Sequence, residues 1–213
     1  MYYKLLNTAT KNDIEEEFNL QFQFPNLYKV ENIIEGLKES VLSIITIEHK
    51  NYISYGIWGL LPKKYNGNWS DFQAVTNTLN IDFKSFKADA KYRKILRRRR
   101  CLIIVTGFIT TVLKNGKLEY YYVNNIFKKP FALAGVYNRL EDGFITCSLV
   151  TVKSSPFIRT IQNINNRMPL FLGKKNQNLW LDEDTPLETL FDLMKFPEDY
   201  PLTYQKKNIT VEV

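Results

Sequence analysis

Four short segments in the middle of the chain, residues 101–105, 119–123, 131–137 and 144–152, are apolar and rich in β-branched and aromatic residues. Asn115-Gly116 lies between the first two, and both residue types tolerate the positive φ that a two-residue hairpin demands. Glu141-Asp142-Gly143 punctuates the chain in the same way before the fourth. Strands joined by tight turns pair antiparallel, so the centre dictates an antiparallel sheet. Residues 41–47 and 52–58 add another such pair, with Glu48-His49-Lys50-Asn51 as its turn, and the unit stops at Pro62.

Helical signals are scattered around this centre. Thr10 to Asp13 has the spacing of a capping box, followed by Ile14 and Phe18 on one face. Ser70 to Gln73 repeats the box ahead of Phe72, Val75 and Leu79, and Tyr92, Ile95 and Leu96 suggest a short helix. A helix over 156–163 and a strand over 168–172 are expected next. Thr185-Pro186-Leu187-Glu188 then provides an N-cap, an N1 proline and a reciprocal glutamate for Leu187, Leu190, Phe191 and Met194. Ile209, Val211 and Val213 alternate as a closing strand. Without a βαβ rhythm, this order predicts an α+β fold, mostly antiparallel sheet or open barrel with interspersed helices. With 213 residues, 45% hydrophobic and no linker-like stretch, the expectation is one domain over 1–213.

The charge is uneven. Residues 84–100 hold nine cations against Asp89 alone, a net of +8, while the whole chain nets +7. Such a localised field suits a phosphate backbone, or otherwise a solvated helix face. Two cysteines and one histidine exclude a Cys/His zinc site, and no metal or cofactor is expected. No apolar run reaches the ~18 residues of a membrane span, and Met1-Tyr2-Tyr3-Lys4 lacks a signal-peptide layout, so a cytoplasmic protein without a membrane partner is expected. His49 falls in a turn, and Cys101 and Cys147 fall in apolar strands where cysteine acts as a small hydrophobe. Trp58 and Trp69 flank a loop, as core residues or as platforms for a base.

Taken in order, several segments resemble the SRAP family, the SOS-response-associated peptidases that attach to abasic sites in single-stranded DNA. The family's W-G-L-I-P is similar to Trp58-Gly59-Leu60-Leu61-Pro62, and its N-A-R-x-E-T box falls on Asn80 to Ser85. R-R-R-C-L matches Arg98 to Leu102, and G-F-Y-E-W falls on Gly107 to Thr111. P-F-A-x-A-G-[LI]-[WY] matches Pro130 to Tyr137, and R-M-P-[VL] matches Arg167 to Leu170. Order and spacing agree over nearly the whole chain.

The resemblance implies abasic-site crosslinking, lyase and peptidase activity, and this sequence departs from it at the reactive positions. The family's second-position cysteine, whose amine and thiol give a thiazolidine with the sugar aldehyde, is replaced by Tyr2, a bulky residue expected to leave Met1 in place. Its glutamate corresponds to Thr110, and its histidine to Asn165, or to Gln162 if a short insertion intervenes. Asp82 and Lys84 replace an arginine and a glutamate, and only Asn80 remains of the reactive set. The expectation is a catalytically silent SRAP-like domain with no intact catalytic residue. It would bind single-stranded or abasic-site DNA through Lys4, Trp58, Asn80, Lys84, Arg97, Arg98 and Arg167, with Trp58, Asn80, Thr110 and Asn165 around one groove. Two alternatives stand: imine chemistry at the Met1 amine, Lys4 or Lys84, and a protein-interaction module.

Overall fold

In a computed structural model, residues 2–207 are described. After β1 (Lys4–Asn7), Thr10 and Asp13 cap α1 (Lys11–Phe18) reciprocally, as the spacing predicts, and Ile14 turns into the core. Short β2 (Gln21–Phe22) and β3 (Glu31–Glu35) precede the expected hairpin of β4 (Val41–Thr46) and β5 (Tyr52–Trp58). Next, α2 (Trp69–Val75) starts one residue after Asn68, so no Ser70 capping box forms; the Gln73 amide oxygen instead accepts from the Thr78 N–H at 2.8 Å. The Trp69 indole donates to the Trp58 carbonyl at 2.8 Å, which fixes where this helix begins.

Three short elements follow: β6 (Asn80–Asp82), α3 (Phe83–Ala88) and α4 (Ala90–Arg98). Asp82 and Asp89 cap the two helices by accepting from the amides of Lys84 and Lys91. Then come β7 (Arg100–Val105), β8 (Gly107–Lys114) and β9 (Lys117–Asn125). The Asn-Gly hairpin is real, with φ of 50° and 74°, but it joins β8 to β9 rather than the strand over 101–105 to its successor. No strand is expected over 107–114 from the sequence reading; Gly107 makes it possible, because a Cβ there would stand 2.4 Å from the Val123 carbonyl oxygen.

The remaining elements are β10 (Phe131–Arg139), β11 (Ile145–Lys153), α5 (Pro156–Thr160), β12 (Arg167–Pro169), β13 (Phe171–Leu172), α6 (Lys174–Leu181), α7 (Leu187–Lys195) and β14 (Leu202–Lys207). Thr185 does not cap α7: Pro186 holds that position, and the Thr185 hydroxyl donates to the Leu179 carbonyl at 2.8 Å, tying α7 to α6. The closing strand expected at Ile209, Val211 and Val213 lies outside the described residues.

Two sheets result, of order β14-β9-β8-β1-β3 and β12-β11-β10-β7-β4-β5-β2, with β13 on β10 and β6 on β11. Pairing is mostly antiparallel. The larger sheet curls until β11 meets β5 in a short parallel contact, leaving a rolled, open arrangement rather than a closed barrel. Leu5, Phe108, Ile103, Leu133, Val150, Trp58 and Trp180 are buried in one core that both sheets share. The fold is α+β, as the sequence predicts.

Candidate functional site

At the end of the core where β7 passes into β8, Tyr2 is 2% exposed. Asn80, the first residue of β6, clamps its backbone from both sides: its amide oxygen accepts from the Tyr2 N–H at 3.3 Å and its amide nitrogen donates to the Tyr2 carbonyl at 2.9 Å. The Tyr2 ring stands edge-on to Phe108 at 5.3 Å, and its hydroxyl lies 2.7 Å from Gln162 Oε1 and 2.9 Å from the Arg167 carbonyl. Thr110, on β8, donates to the same Gln162 oxygen at 2.6 Å. On its other side, Gln162 Nε2 donates to Asn165 Oδ1 at 3.0 Å, and that oxygen also accepts from the Arg167 N–H at 3.0 Å.

Of the two positions offered for the family's histidine, Gln162 is the one that touches Tyr2 and Thr110; Asn165 reaches them only through Gln162. Tyr2, Asn80, Thr110, Gln162 and Asn165 are all uncharged, and none serves as a proton shuttle near neutral pH. Burial raises the Tyr2 phenol pKa well above its ordinary value, with the Thr110 and Gln162 hydrogen bonds opposing in part, so the phenol stays neutral. Among the described residues of this cluster, charge lies at the rim, where Arg167 pairs with Asp82. That carboxylate also caps α3 by accepting from the Lys84 amide at 2.8 Å.

Trp58 requires a correction. It is fully buried behind Asn80, and its indole donates to the Leu79 carbonyl at 2.9 Å, so it offers no face to a base. Lys4 is half-exposed and paired with Glu35 at 3.4 Å. Lys84 is exposed on the first turn of α3, beside the Arg167–Asp82 pair. Arg97 and Arg98 are not brought to this cluster. They end α4 at the start of β7, about 17 Å of strand from where that strand meets β8. There they line a cleft of about 720 Å³ together with Glu48, Glu183, Asp184 and Glu188.

Arg100 does not belong to the surface charge at all. Its buried guanidinium donates to the carbonyls of Leu96 and Arg97 at 2.7 and 2.8 Å, and to those of Trp180 and Asp182 across α6. Burial lowers its pKa, opposed by Asp182 and Glu183. Cys101 and Cys147 are buried thiols with raised pKa, which makes them poor nucleophiles, and exposed His49 stacks on Tyr52 at 5.2 Å.

The family model for SOS response associated peptidase (SRAP) matches residues 1–211. The chain belongs to the SRAP family. Among curated relatives, the abasic site processing protein YobE of Bacillus subtilis (strain 168) is 25% identical over 176 residues, covering 80% of this chain and 77% of that protein. The abasic site processing protein YoqW of Bacillus phage SPbeta is 23% identical over 177 residues, covering 80% and 75%. A solved structure from Bacteroides thetaiotaomicron superposes with a TM-score of 0.85 at 18% identity over 97% of this chain and 92% of that one. One from Bordetella bronchiseptica gives 0.75 at 15% over 97% and 100%. At these identities the structural likeness shows a shared fold alone.

Proposed function

We propose that this SRAP domain binds single-stranded or abasic-site DNA non-covalently, in a DNA-damage role akin to that named for its relatives. What carries the reading is the Tyr2 network. The phenol fills the space between Phe108, Gln162 and the Arg167 carbonyl, and Thr110, Gln162 and Asn165 satisfy one another around it. A satisfied, uncharged cluster supplies neither a nucleophile nor an acid–base pair for an aldehyde. A thiazolidine also needs an N-terminal aminothiol, which Tyr2 does not provide.

Contact with DNA falls to the rim. Lys84, Lys87, Lys91 and Lys94 form no salt bridge among the described residues, and all four are exposed along α3 and α4. Arg167 is held by Asp82, so a phosphate entering there competes with that carboxylate for the guanidinium. Anisotropy with a fluorescent abasic oligonucleotide over a salt series tests this. Engagement of about four phosphates gives a slope of log affinity against log salt near −3, at about −0.7 per phosphate. Absence of salt-dependent binding overturns the reading in favour of a protein-interaction module.

A further inference from the structure

Strand β1 leads from the Tyr2 cluster to Asn7, about 17 Å away along an extended chain, and Asn7 lines a cleft of about 1160 Å³. The β4–β5 hairpin supplies one wall of that cleft. Val41 stands opposite Ile57 and Ser43 opposite Tyr55, so these four share one face of the hairpin, and all four line the cleft. Leu42, Ile44 and Trp58 point the other way, into the core. Val41, Leu27 and Phe144, all bordering the cleft, leave 49%, 63% and 64% of their surface to solvent, so nothing among the described residues covers this apolar ground.

Strand β3 supplies another wall, through Glu31, Ile33, Ile34 and Glu35. It ends the small sheet and pairs with β1 alone. The Lys38 N–H and the Ser40 hydroxyl occupy its last carbonyl, that of Glu35, at 3.1 and 2.9 Å. From Glu31 to Ile33 the outer edge has no backbone partner among the described residues. An open strand edge beside an apolar wall is what strand addition by an extended peptide requires.

The charge is the reverse of the chain's own. Glu31, Glu35, Glu39 and Asp142 line the cleft against Lys29 and Lys38, a net of −2 on a chain of +7. Glu35 holds Lys38 and Lys4 at 2.9 and 3.4 Å, whereas exposed Glu31 and Glu39 form no salt bridge among the described residues. Such a field disfavours a phosphate backbone and favours a cationic occupant.

We propose that this cleft is a docking groove for an extended segment of a partner protein in which apolar residues alternate with Lys or Arg. The segment adds to the open edge of β3, its apolar side chains face Val41, Tyr55 and Ile57, and its cations meet Glu31 and Glu39. Main-chain bonds then give affinity, and the alternating side chains give selectivity. The inference does not depend on DNA binding at the Tyr2 end.

Panning a random library of peptides about twelve residues long on the full chain tests it, followed by titration of the selected peptide in fluorescein-labelled synthetic form. Enriched sequences alternate apolar residues with Lys or Arg, and the bound peptide slows hydrogen exchange at the amides of β3. Glu31→Lys/Glu39→Lys lowers affinity about tenfold or more, while Glu183→Lys/Glu188→Lys, in the cleft beside Arg97, leaves it within about twofold. If the first variant fails to fold, the wild-type exchange map decides. No enrichment, an acidic or uncharged consensus, or protection confined to other strands overturns the groove. Dimeric sedimentation with β3 already protected before peptide is added assigns the edge to a second copy of the chain, which also contradicts the proposal. Abasic-DNA anisotropy without peptide reports on the Tyr2 reading, so either reading can fail alone.

Discussion

Tyr2 combines a buried ring with a phenol between two acceptors, and the two contributions separate by mutation. Tyr2→Phe keeps the contact with Phe108 and loses the hydrogen bonds, costing about 1 kcal/mol. Tyr2→Ala empties the site and costs about 3–5 kcal/mol, as urea unfolding midpoints will report. Asp82 permits a functional test at the same scale. Asp82→Asn preserves a good N-cap for α3 and removes the charge that holds Arg167, so abasic-DNA affinity rises by about three- to tenfold. Unchanged or weaker binding contradicts a role for Arg167 at a phosphate. Tyr2, Asn80 and Thr110 were legible as site positions because motif order carried them. Trp58 was not, because a tryptophan next to a loop reads the same whether its indole N–H meets water or, as here, the Leu79 carbonyl. The hub position of Gln162 depends on the path of the loop after α5, which carries no local sequence signal.

The run Arg97 to Arg100 reads as one basic feature and divides at the junction of two elements. Arg97 and Arg98 are exposed on the last turn of α4, whereas Arg100 begins β7 and bonds the carbonyl ends of α4 and α6 together. Arg100→Ala therefore strips four carbonyls of a charged donor and costs about 3 kcal/mol or more, whereas Arg97→Ala stays within about 0.5 kcal/mol. Equal unfolding midpoints for the two variants contradict this division. Because Arg97 and Arg98 share their cleft with four carboxylates, their replacement changes abasic-DNA affinity less than Lys84→Ala does, which the same anisotropy assay reads. The elements themselves were mostly visible: the Thr10 cap, the β4–β5 hairpin and the periodicity of α7 all follow from local chemistry. Strand β8 was hidden because its start requires Gly107 to pass against β9, a tertiary constraint. The Ser70 and Thr185 caps failed because the Trp69 indole and the Thr185 hydroxyl found distant carbonyl partners.

At the scale of the whole molecule, two sheets meet around one core, and that junction brings the N-terminal Tyr2, β6, β8 and the loop before β12 to a single point. The α+β class follows from strand-rich composition without a βαβ rhythm; the assembly of that point depends on contacts between residues as far apart as Tyr2 and Arg167. The scaffold is that of the SRAP family, and Tyr2 lies within it in an uncharged hydrogen-bonded cluster with the Arg167–Asp82 pair at its rim. Mass spectrometry of the protein mixed with an abasic-site oligonucleotide, run under native and then denaturing conditions, tests this most directly. The account predicts a one-to-one complex in the native spectrum and only the free protein mass after denaturation. A denaturation-resistant adduct formed without reductant, at the summed mass of protein and oligonucleotide less water, contradicts it.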